Sequence, residues 1–340
     1  MSQSAASEVL QVQDDRSAAR RVLDFVGAQN LSLLIALAAV VTIIGVQDAN
    51  FFSPRNMMAI GTTVAIAGLL AAVQTVVVIL GALDISVGSI TGFTSVACAM
   101  VFTASGSASL GVAAAIAIGL ASGLVNGATI VYGRVNPVIA TLATLATFKG
   151  LAQLISGGRA QGYTGGDDFF IFLARGSILG IPTLIWVLAL VAAALHVLLK
   201  YTDIGRNIYA VGGNDTAARL AGIAINKYVI GAYALSGAIA GIAGVLLTAR
   251  TGSGQPVSGS EGLELESITA AALGGCDLRG GKGAVPSTLL AVLLLGVLSN
   301  GMTVLGVNPF WQNVAKGTLL AVAVVIQQKR SGERAVGLPR

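Results

Sequence analysis

The sharpest candidate for chemistry in this sequence is a short polar segment, LDISVGS at residues 83–89, which lies between two long apolar runs. Asp84 and Ser86 supply a carboxyl group and a hydroxyl group there, and acids at membrane depth usually line a pathway or pair with a partner. Gly81 and Gly88 would let the backbone break, which is tolerated at that depth only around a cavity or inside protein. The alternative is an ordinary loop in which Asp84 caps the following helix. Both interpretations stay open, because a capping aspartate at a broken helix could serve both.

A second set of candidates consists of polar side chains inside runs that are otherwise apolar. Lys149 could snorkel, pair with an acid or face the interior of a helix bundle. Gln74, Asn126, Asn300 and Gln312 could hydrogen-bond a polar solute, or they could equally join helices to one another. The residues that we predict to border a solute pathway are Asp84, Ser86, Gln74, Asn126, Lys149 and Asn300.

Motifs for enzymatic chemistry are missing from the sequence. The nearest match to a phosphate-binding loop, GGKG at residues 280–283, lacks the Ser or Thr that would bind magnesium and misplaces the first glycine. No nucleophile elbow and no zinc-protease motif occurs. His196 is the only histidine, and Cys98 and Cys276 form no metal-ligand spacing. We predict no catalytic residue, no metal site and no cofactor in this chain.

The composition indicates that these side chains are held by membrane spans. Of the 340 residues, 55% are apolar and only 10% are charged, whereas ordinary globular proteins have about 25% charged residues. The mean hydropathy is +0.83. Basic residues stand singly between apolar runs, without the basic stripe of a nucleic-acid surface, so lipid is an expected partner and nucleic acid is not.

The spacing of the apolar runs predicts an all-α polytopic membrane protein with about ten transmembrane helices. The eighth helix is the least distinct, because it is short, begins beside Glu264 and Glu266, and contains Gly274 and Gly275. The predicted spans are 31–47, 58–79, 86–104, 109–132, 136–157, 183–199, 228–250, 264–280, 284–304 and 310–327.

The distribution of basic residues predicts the orientation of these spans. With the N-terminus inside, the inner segments hold 14 Lys and Arg residues and the outer segments hold 4, which is the bias expected of cytoplasmic loops. Both termini are therefore predicted to be cytoplasmic. Residues 1–30 form a tail without the pattern of a cleavable signal peptide, 31–328 form one transmembrane domain, and 329–340 form a second tail.

Two long connections and a possible repeat organise this domain. Residues 158–182 are predicted outside, and 200–227 inside, where Asn214 or Asp215 can cap a short helix that ends at Gly222. The pattern Asn-Gly followed by Val-Asn-Pro occurs near residues 126–137 and again near 300–309. A shift of five helices inverts the topology, so the pattern fits a 5+5 inverted repeat. Chance recurrence of common turn dipeptides is the alternative.

Several long strings resemble the membrane-spanning permease subunits of bacterial ATP-binding cassette importers of the ribose and xylose class, within the superfamily of branched-chain amino acid and monosaccharide permeases. The resemblance covers about residues 30–328. The matching strings are LDISVGS at 83–89, NPVIATLATLATFKGLAQLISGG at 136–158, GRNIYAVGGNDTAARLAGI at 205–223, YALSGAIAGIAGVLLTARTGSGQP at 233–256, GGCDLRGGKG at 274–283 and VNPFWQNVAKG at 307–317.

The resemblance implies a division of labour. Such a permease works with a second permease chain, identical or related, in the bacterial cytoplasmic membrane. A separate ATPase binds ATP and magnesium on the cytoplasmic side, and a solute-binding protein delivers a pentose, hexose or polyol outside. The residues at matched positions of the segment that couples the ATPase to the pathway are Gly205, Arg206, Asn214, Ala218 and Gly222.

Two features depart from the family pattern, and two other functions remain possible. Cys276 and Asp277 stand where a small or hydroxyl residue is expected, and the outer segment 159–170 is only loosely similar. The solute could therefore be a nucleoside, a signalling sugar or a branched-chain amino acid. An ion-coupled secondary transporter with Asp84 and Lys149 as its relay is the alternative from a different class, although the chain offers few intramembrane acids for one.

Overall fold

The computed structural model describes residues 28–163 and 167–331, so the predicted tails 1–30 and 329–340 lie almost wholly outside it. Within the described ranges the chain forms thirteen α-helices, and a 3-10 helix at Ala49–Phe52. The helices are α1 (Ala28–Gln47), α2 (Pro54–Ile79), α3 (Val87–Ser105), α4 (Ala108–Gly133), α5 (Pro137–Ser156), α6 (Asp168–Arg175), α7 (Thr183–Tyr201), α8 (Asp203–Gly213), α9 (Asp215–Leu220), α10 (Ile225–Thr251), α11 (Leu263–Leu273), α12 (Val285–Val304) and α13 (Pro309–Ser331).

Eight helices in the described part of the chain are long and apolar enough to cross a membrane. They are α1, α2, α3, α4, α5, α7, α10 and α12. These eight correspond to the first seven predicted spans and the ninth, so the predicted all-α polytopic class is confirmed. The tenth predicted span lies in α13, whose apolar part, Phe310–Val325, is shorter than the others.

The centre of the bundle is built on α2 and α10. Every residue of α2 from Ala65 to Ile79 is buried. Because lipid gives helices no hydrophobic reason to associate, small residues are needed to let their backbones pack closely. Gly119 and Gly123 of α4 face Gly237 and Gly241 of α10, and a methyl group added at Gly119 would lie only 3.0 Å from the Cα of Gly241. These glycines allow α4 and α10 to pack in direct backbone contact.

The limits predicted for the eighth span, 264–280, are wrong. The helix here, α11, has 11 residues, which makes it about 16 Å long, whereas a bilayer core is about 30 Å thick. Residues 274–284 continue as turns instead of helix. The part of the crossing before α11 is residues 253–262, and four glycines and a proline between 252 and 262 disfavour helix there.

This irregular segment runs along the side of α3. The backbone nitrogen of Gln255 donates to Ser95 Oγ at 3.0 Å. A methyl group added at Gly88, seven residues nearer the start of α3, would lie 2.8 Å from the carbonyl oxygen of Ser260. These two points are about 10 Å apart along α3, and α11 adds at most about 16 Å, so the two together reach up to about 26 Å, close to a bilayer core. We call residues 253–273 the discontinuous crossing.

The two ends of the bundle carry the two long connections. The end with residues 200–227, which the charge bias assigns to the cytoplasm, is called the inner end, and α7 separates it from the outer end with residues 158–182. At the outer end, strand β1 (Gln161–Gly162) pairs antiparallel with β4 (Ser253–Gly254). Strands β2 (Ser177–Ile178) and β3 (Ile181–Pro182) form a second antiparallel pair.

Both copies of the Asn-Pro motif begin a helix. The side chain of Asn136 accepts a hydrogen bond from the backbone nitrogen of Val138 at 2.9 Å, where α5 starts. Asn308 accepts one from Phe310 at 2.9 Å, where α13 starts. These matching caps agree with the repeat pattern locally, while the inverted repeat as a whole stays a prediction.

Candidate functional site

The connection between α2 and α3 is a break in the bundle that is held by the buried carboxyl group of Asp84. Its Oδ1 accepts hydrogen bonds from the backbone nitrogen of Ser86 at 3.0 Å and from Ser86 Oγ at 2.6 Å. Its Oδ2 accepts one from Ser236 Oγ at 2.7 Å, in the middle of α10. Asp84 and Ser86 are fully buried. The carboxyl group therefore joins the start of α3 to α10. The backbone is broken here, but Asp84 does not cap α3, because it bonds the amide of Ser86, which precedes the helix, and α3 begins without a side-chain cap.

Three further side chains complete this network. With its amide oriented so that both atoms find a partner, Gln74 of α2 accepts from the backbone nitrogen of Asp84 at 3.2 Å and donates to its carbonyl oxygen at 3.3 Å. Asn126 Nδ2 of α4 donates to Ser86 Oγ at 2.7 Å. The hydroxyl of Tyr233 donates to the carbonyl oxygen of the residue before Asp84 at 2.8 Å. Four of the six predicted pathway residues thus meet in one network, and all four are fully buried.

Lys149 lies on a different surface, beside the discontinuous crossing. It is twelve residues from the start of α5 and seven from its end. Its Nζ lies 2.7 Å from Glu261 Oε1, and the two side chains are 36% and 65% exposed. Glu264, three residues further on, is half-buried and accepts a hydrogen bond from the backbone nitrogen of Gly262 at 3.2 Å. We call the surface of Lys149, Glu261 and Glu264 the charged face.

Asn300 lies away from both groups, near the outer end. Its side chain and that of Asn56 form a reciprocal amide pair at 3.0 and 2.9 Å. Asn56 also donates to the carbonyl oxygen of Phe51 at 2.8 Å. These bonds tie α12 to the start of α2, as expected of a residue that joins helices. Gln312 likewise bonds a neighbouring helix, at Thr303 Oγ1.

The inner connection contains two helices where the sequence predicted one. The predicted short helix is confirmed as α9, and Asn214 caps it by accepting from the backbone nitrogen three residues on at 2.9 Å. Gly222 follows with a φ of 81°. Ala218 is buried, and Gly205 is buried so tightly against the end of α7 that an added methyl group would overlap backbone carbonyls there. Arg206 pairs with the aspartate at the start of α8.

The end of α8 packs against two turns: the turn between α2 and α3, and the turn that follows the discontinuous crossing. We call these two turns the broken segments, and the contacts of Tyr209 and Gly212 with them the wedge. A methyl group added at Gly212 would overlap the carbonyl oxygen of Ile79 and lie 2.7 Å from the backbone nitrogen of Gly281. That nitrogen donates to the Ile79 carbonyl oxygen at 2.7 Å. The hydroxyl of Tyr209 donates to the carbonyl oxygen of Gly283 at 2.7 Å. Movement of α8 must therefore displace the turn that leads to Asp84 and the turn that follows the discontinuous crossing.

The sequence interpretation missed Glu261, Glu264 and Gly212. The two acids were visible only as charges near the start of a weak span, and Gly212 as one glycine among 44. The signal that could have found the acids is the run of glycines and proline before them, since irregular backbone at membrane depth usually borders a cavity. No comparable local signal marks Gly212. Within the described residues no group of His, Cys, Asp and Glu could hold a metal ion.

Comparison with known proteins places these features in a family. Residues 56–324 match the family described as "Branched-chain amino acid transport system / permease component". The chain is 37% identical over 299 residues to the ribose import permease protein of Escherichia coli K12, covering 87% of this chain and 93% of that one. It is 37% identical over 303 residues to the ribose import permease protein of Bacillus subtilis 168, covering 89% and 94%. It is 36% identical over 305 residues to the L-arabinose transport system permease protein of Escherichia coli K12, covering 89% and 92%. No solved structure matches the chain.

Proposed function

Because the chain belongs to the family of branched-chain amino acid transport permease components, we propose that it is the membrane-spanning permease subunit of an ATP-driven importer for a monosaccharide. The relatives named for ribose and L-arabinose import support a pentose or a similar sugar, since each is matched over nearly its whole length. The chain is a multi-pass protein of the bacterial cytoplasmic membrane, as its apolar helices and its permease relatives indicate. A nucleoside, a signalling sugar or a branched-chain amino acid is the alternative solute for the same architecture.

The observation that carries the proposal is the wedge of α8 against the two broken segments. Gly212 touches the Ile79 carbonyl and the Gly281 amide, and Tyr209 holds the Gly283 carbonyl at 2.7 Å. An importer driven by an external ATPase needs such a link, because motion at the inner end must reach the middle of the bundle. In a secondary transporter, the two helices of residues 203–220 would have no comparable purpose.

The ATPase is proposed to dock on α8 and α9. Leu220 and Ile204 expose 86% and 52% of their surface at this end, and an apolar patch rimmed by polar residues marks a protein contact. Arg206 and Arg219 flank them as exposed cations. Gly205, Asn214, Ala218 and Gly222 shape the two helices, as the burial, cap and turn described above indicate. ATP and magnesium would be bound by the ATPase, with no cofactor in this chain.

The charged face supports a partner permease chain. Placing a Lys or an acid at the centre of a span against lipid costs about 2.5–3.5 kcal/mol. Lys149 and Glu261 are nevertheless 36% and 65% exposed at mid-height of α5. Exposing these charges to acyl chains costs more free energy than exposing them to water. The charged face therefore fits a water-filled pathway that a second copy or a sister chain encloses.

The predicted pathway residues then divide by position. Lys149 lines the pathway directly in this proposal. Asp84 and Ser86 fix the first break, with Gln74 and Asn126 as their supports. Asn300 holds the outer ends of α2 and α12 together. Residues 158–182 are proposed to meet the solute-binding protein at the outer end, where Leu179 is 88% exposed.

Co-purification tests this function most directly. The tagged chain is expressed with its neighbouring genes, isolated in mild detergent, and assayed for a stoichiometric ATPase subunit. Uptake of radiolabelled D-ribose and L-arabinose is then measured after ATP depletion, and separately after an uncoupler with ATP maintained. We expect the ATPase to co-purify and uptake to stop only with ATP depletion. Recovery of the chain alone, with uptake that stops with the uncoupler, would favour the secondary transporter.

A further inference from the structure

We propose that Glu264, held beside the Lys149–Glu261 ion pair, lines the pathway and contacts the hydroxyl groups of the neutral sugar that passes through it. The inference rests on the proposed function and adds to it the residue that contacts the solute. It begins from the acids of the discontinuous crossing, one of which, Glu266, is, with Asp84, one of the two buried acids among the described residues.

The discontinuous crossing carries three glutamates, which differ in burial and in whether a lysine pairs with them. Glu261 is paired with Lys149 at 2.7 Å on the exposed surface. Glu266 is buried and paired with Lys316 of α13 at 2.6 Å. Glu264 stands between them, and among the described residues no cation lies within ion-pair distance of it. Two of the three charges are thus neutralised within the protein, and the third is left with free acceptor capacity.

The side chain of Glu264 is held in place by a backbone hydrogen bond and by its contact with α3. Its Oε1 accepts from the backbone nitrogen of Gly262 at 3.2 Å. Its Oε2 lies directly over Gly88, where any added methyl group would overlap it. Ser260, whose carbonyl oxygen would lie 2.8 Å from the same methyl group, keeps the irregular segment against α3. A glycine at position 88 is therefore required for the carboxylate to occupy this half-buried place on the charged face.

The chemistry of the charged face selects among solutes. A carboxylate accepts strong charge-assisted hydrogen bonds from hydroxyl groups, and each of its oxygens can accept more than one. The formal charges of Glu261, Glu264 and Lys149 sum to −1, which disfavours an anionic solute such as a sugar acid. A branched-chain amino acid could donate to these acids only through its ammonium group, while its own carboxylate would be repelled by them and its aliphatic side chain would gain nothing from these groups. A neutral sugar, which is rich in hydroxyl donors, fits the surface best.

A purely structural role for Glu264 is the competing explanation. An acid in the first turn of α11 interacts favourably with the helix dipole, worth about 0.3–1 kcal/mol. Its bond to Gly262 fits that role as well. The two explanations differ in what the loss of the carboxylate should change: a structural acid affects folding and every activity together, whereas a solute contact affects only the movement of solute.

The test uses proteoliposomes that contain this chain, its ATPase and saturating solute-binding protein. Solute taken up per ATP hydrolysed is measured for wild type, Glu264→Gln, Glu264→Asp and the control Thr147→Val. Thr147 lies on the same helix as Lys149, is exposed, and bonds only its own helix at Ala143. We expect Glu264→Gln to lower uptake per ATP about tenfold with normal ATPase stimulation, Glu264→Asp to recover part of it, and Thr147→Val to match wild type.

Two results would overturn the assignment of Glu264. One is normal uptake per ATP in Glu264→Gln; the other is a parallel loss of uptake, ATPase stimulation and inserted protein, as a structural role requires. The solute class is tested with wild type and four probes, D-ribose, L-arabinose, L-leucine and D-glucuronate. ATP-driven uptake of leucine or glucuronate without either sugar would refute the class but retain the importer function. Absence of any ATP-driven uptake would refute the proposed function itself.

Discussion

Replacing Gly212 by alanine should break the link between the inner end and the two broken segments. The added methyl group overlaps the Ile79 carbonyl oxygen and lies 2.7 Å from the Gly281 nitrogen. Real side chains do not approach backbone this closely, so α8 must move away. Because the wedge is made of backbone atoms on both sides, no flexible side chain can give way instead.

The magnitude follows from three contributions. Overpacking of a tight contact costs about 1–3 kcal/mol. Loss of the hydrogen bond from Gly281 to Ile79, 2.7 Å long in the wild type, adds about 0.5–1.5 kcal/mol. Alanine in place of glycine in a helix returns up to about 1 kcal/mol. With the full return of about 1 kcal/mol, we therefore expect a net destabilisation of about 0.5–3.5 kcal/mol, enough to uncouple the wedge without unfolding the bundle.

The adjacent glycine supplies a matched control. A methyl group added at Gly213 meets nothing within 4 Å, so Gly213→Ala should keep or slightly raise thermal stability. Both variants are purified and compared by thermal unfolding in detergent, by binding of the ATPase, and by uptake per ATP in proteoliposomes. Gly212→Ala should still bind the ATPase and lose most coupled uptake. If Gly212→Ala matches Gly213→Ala in stability and in uptake, the wedge does not transmit motion.

Two further substitutions test the docking surface and the buried network. Leu220→Glu should abolish capture of the ATPase without reducing insertion, because it places a charge on a side chain that is 86% exposed at the inner end; Leu179→Glu, at a residue 88% exposed at the outer end, should leave capture intact, and equal losses would count against the docking site. Ser236→Ala removes the 2.7 Å bond to the buried carboxyl group and should destabilise the protein by about 1–3 kcal/mol. Ser122→Ala, which removes only a bond within its own helix, should cost clearly less in the same thermal unfolding assay, and equal costs would show that the network adds nothing.

The sequence alone determined the features that depend on local pattern. Long apolar runs specify membrane helices because a bilayer core must be spanned by about 20 apolar residues. The cap at Asn214 and the turn at Gly222 were readable because capping acts within a few residues of the chain. The polar interruption around Asp84 was visible for the same reason, since a carboxyl group among apolar residues stands out wherever it is packed.

Only the tertiary structure decided which of these groups meet. Asp84 bonds Ser236, 152 residues away, and Lys149 bonds Glu261, 112 residues away, and no local pattern records either pairing. The discontinuous crossing was missed because hydropathy measures how apolar a segment is and says little about its backbone conformation. The glycines and the proline of this segment give irregular chain where half of a membrane helix was expected. Gly212 could not be singled out because its importance lies in the backbone atoms of Ile79 and Gly281, which packing brings within touching distance of it. Membrane insertion follows from the chemistry of segments, whereas the link that would drive a pathway follows from contacts between segments.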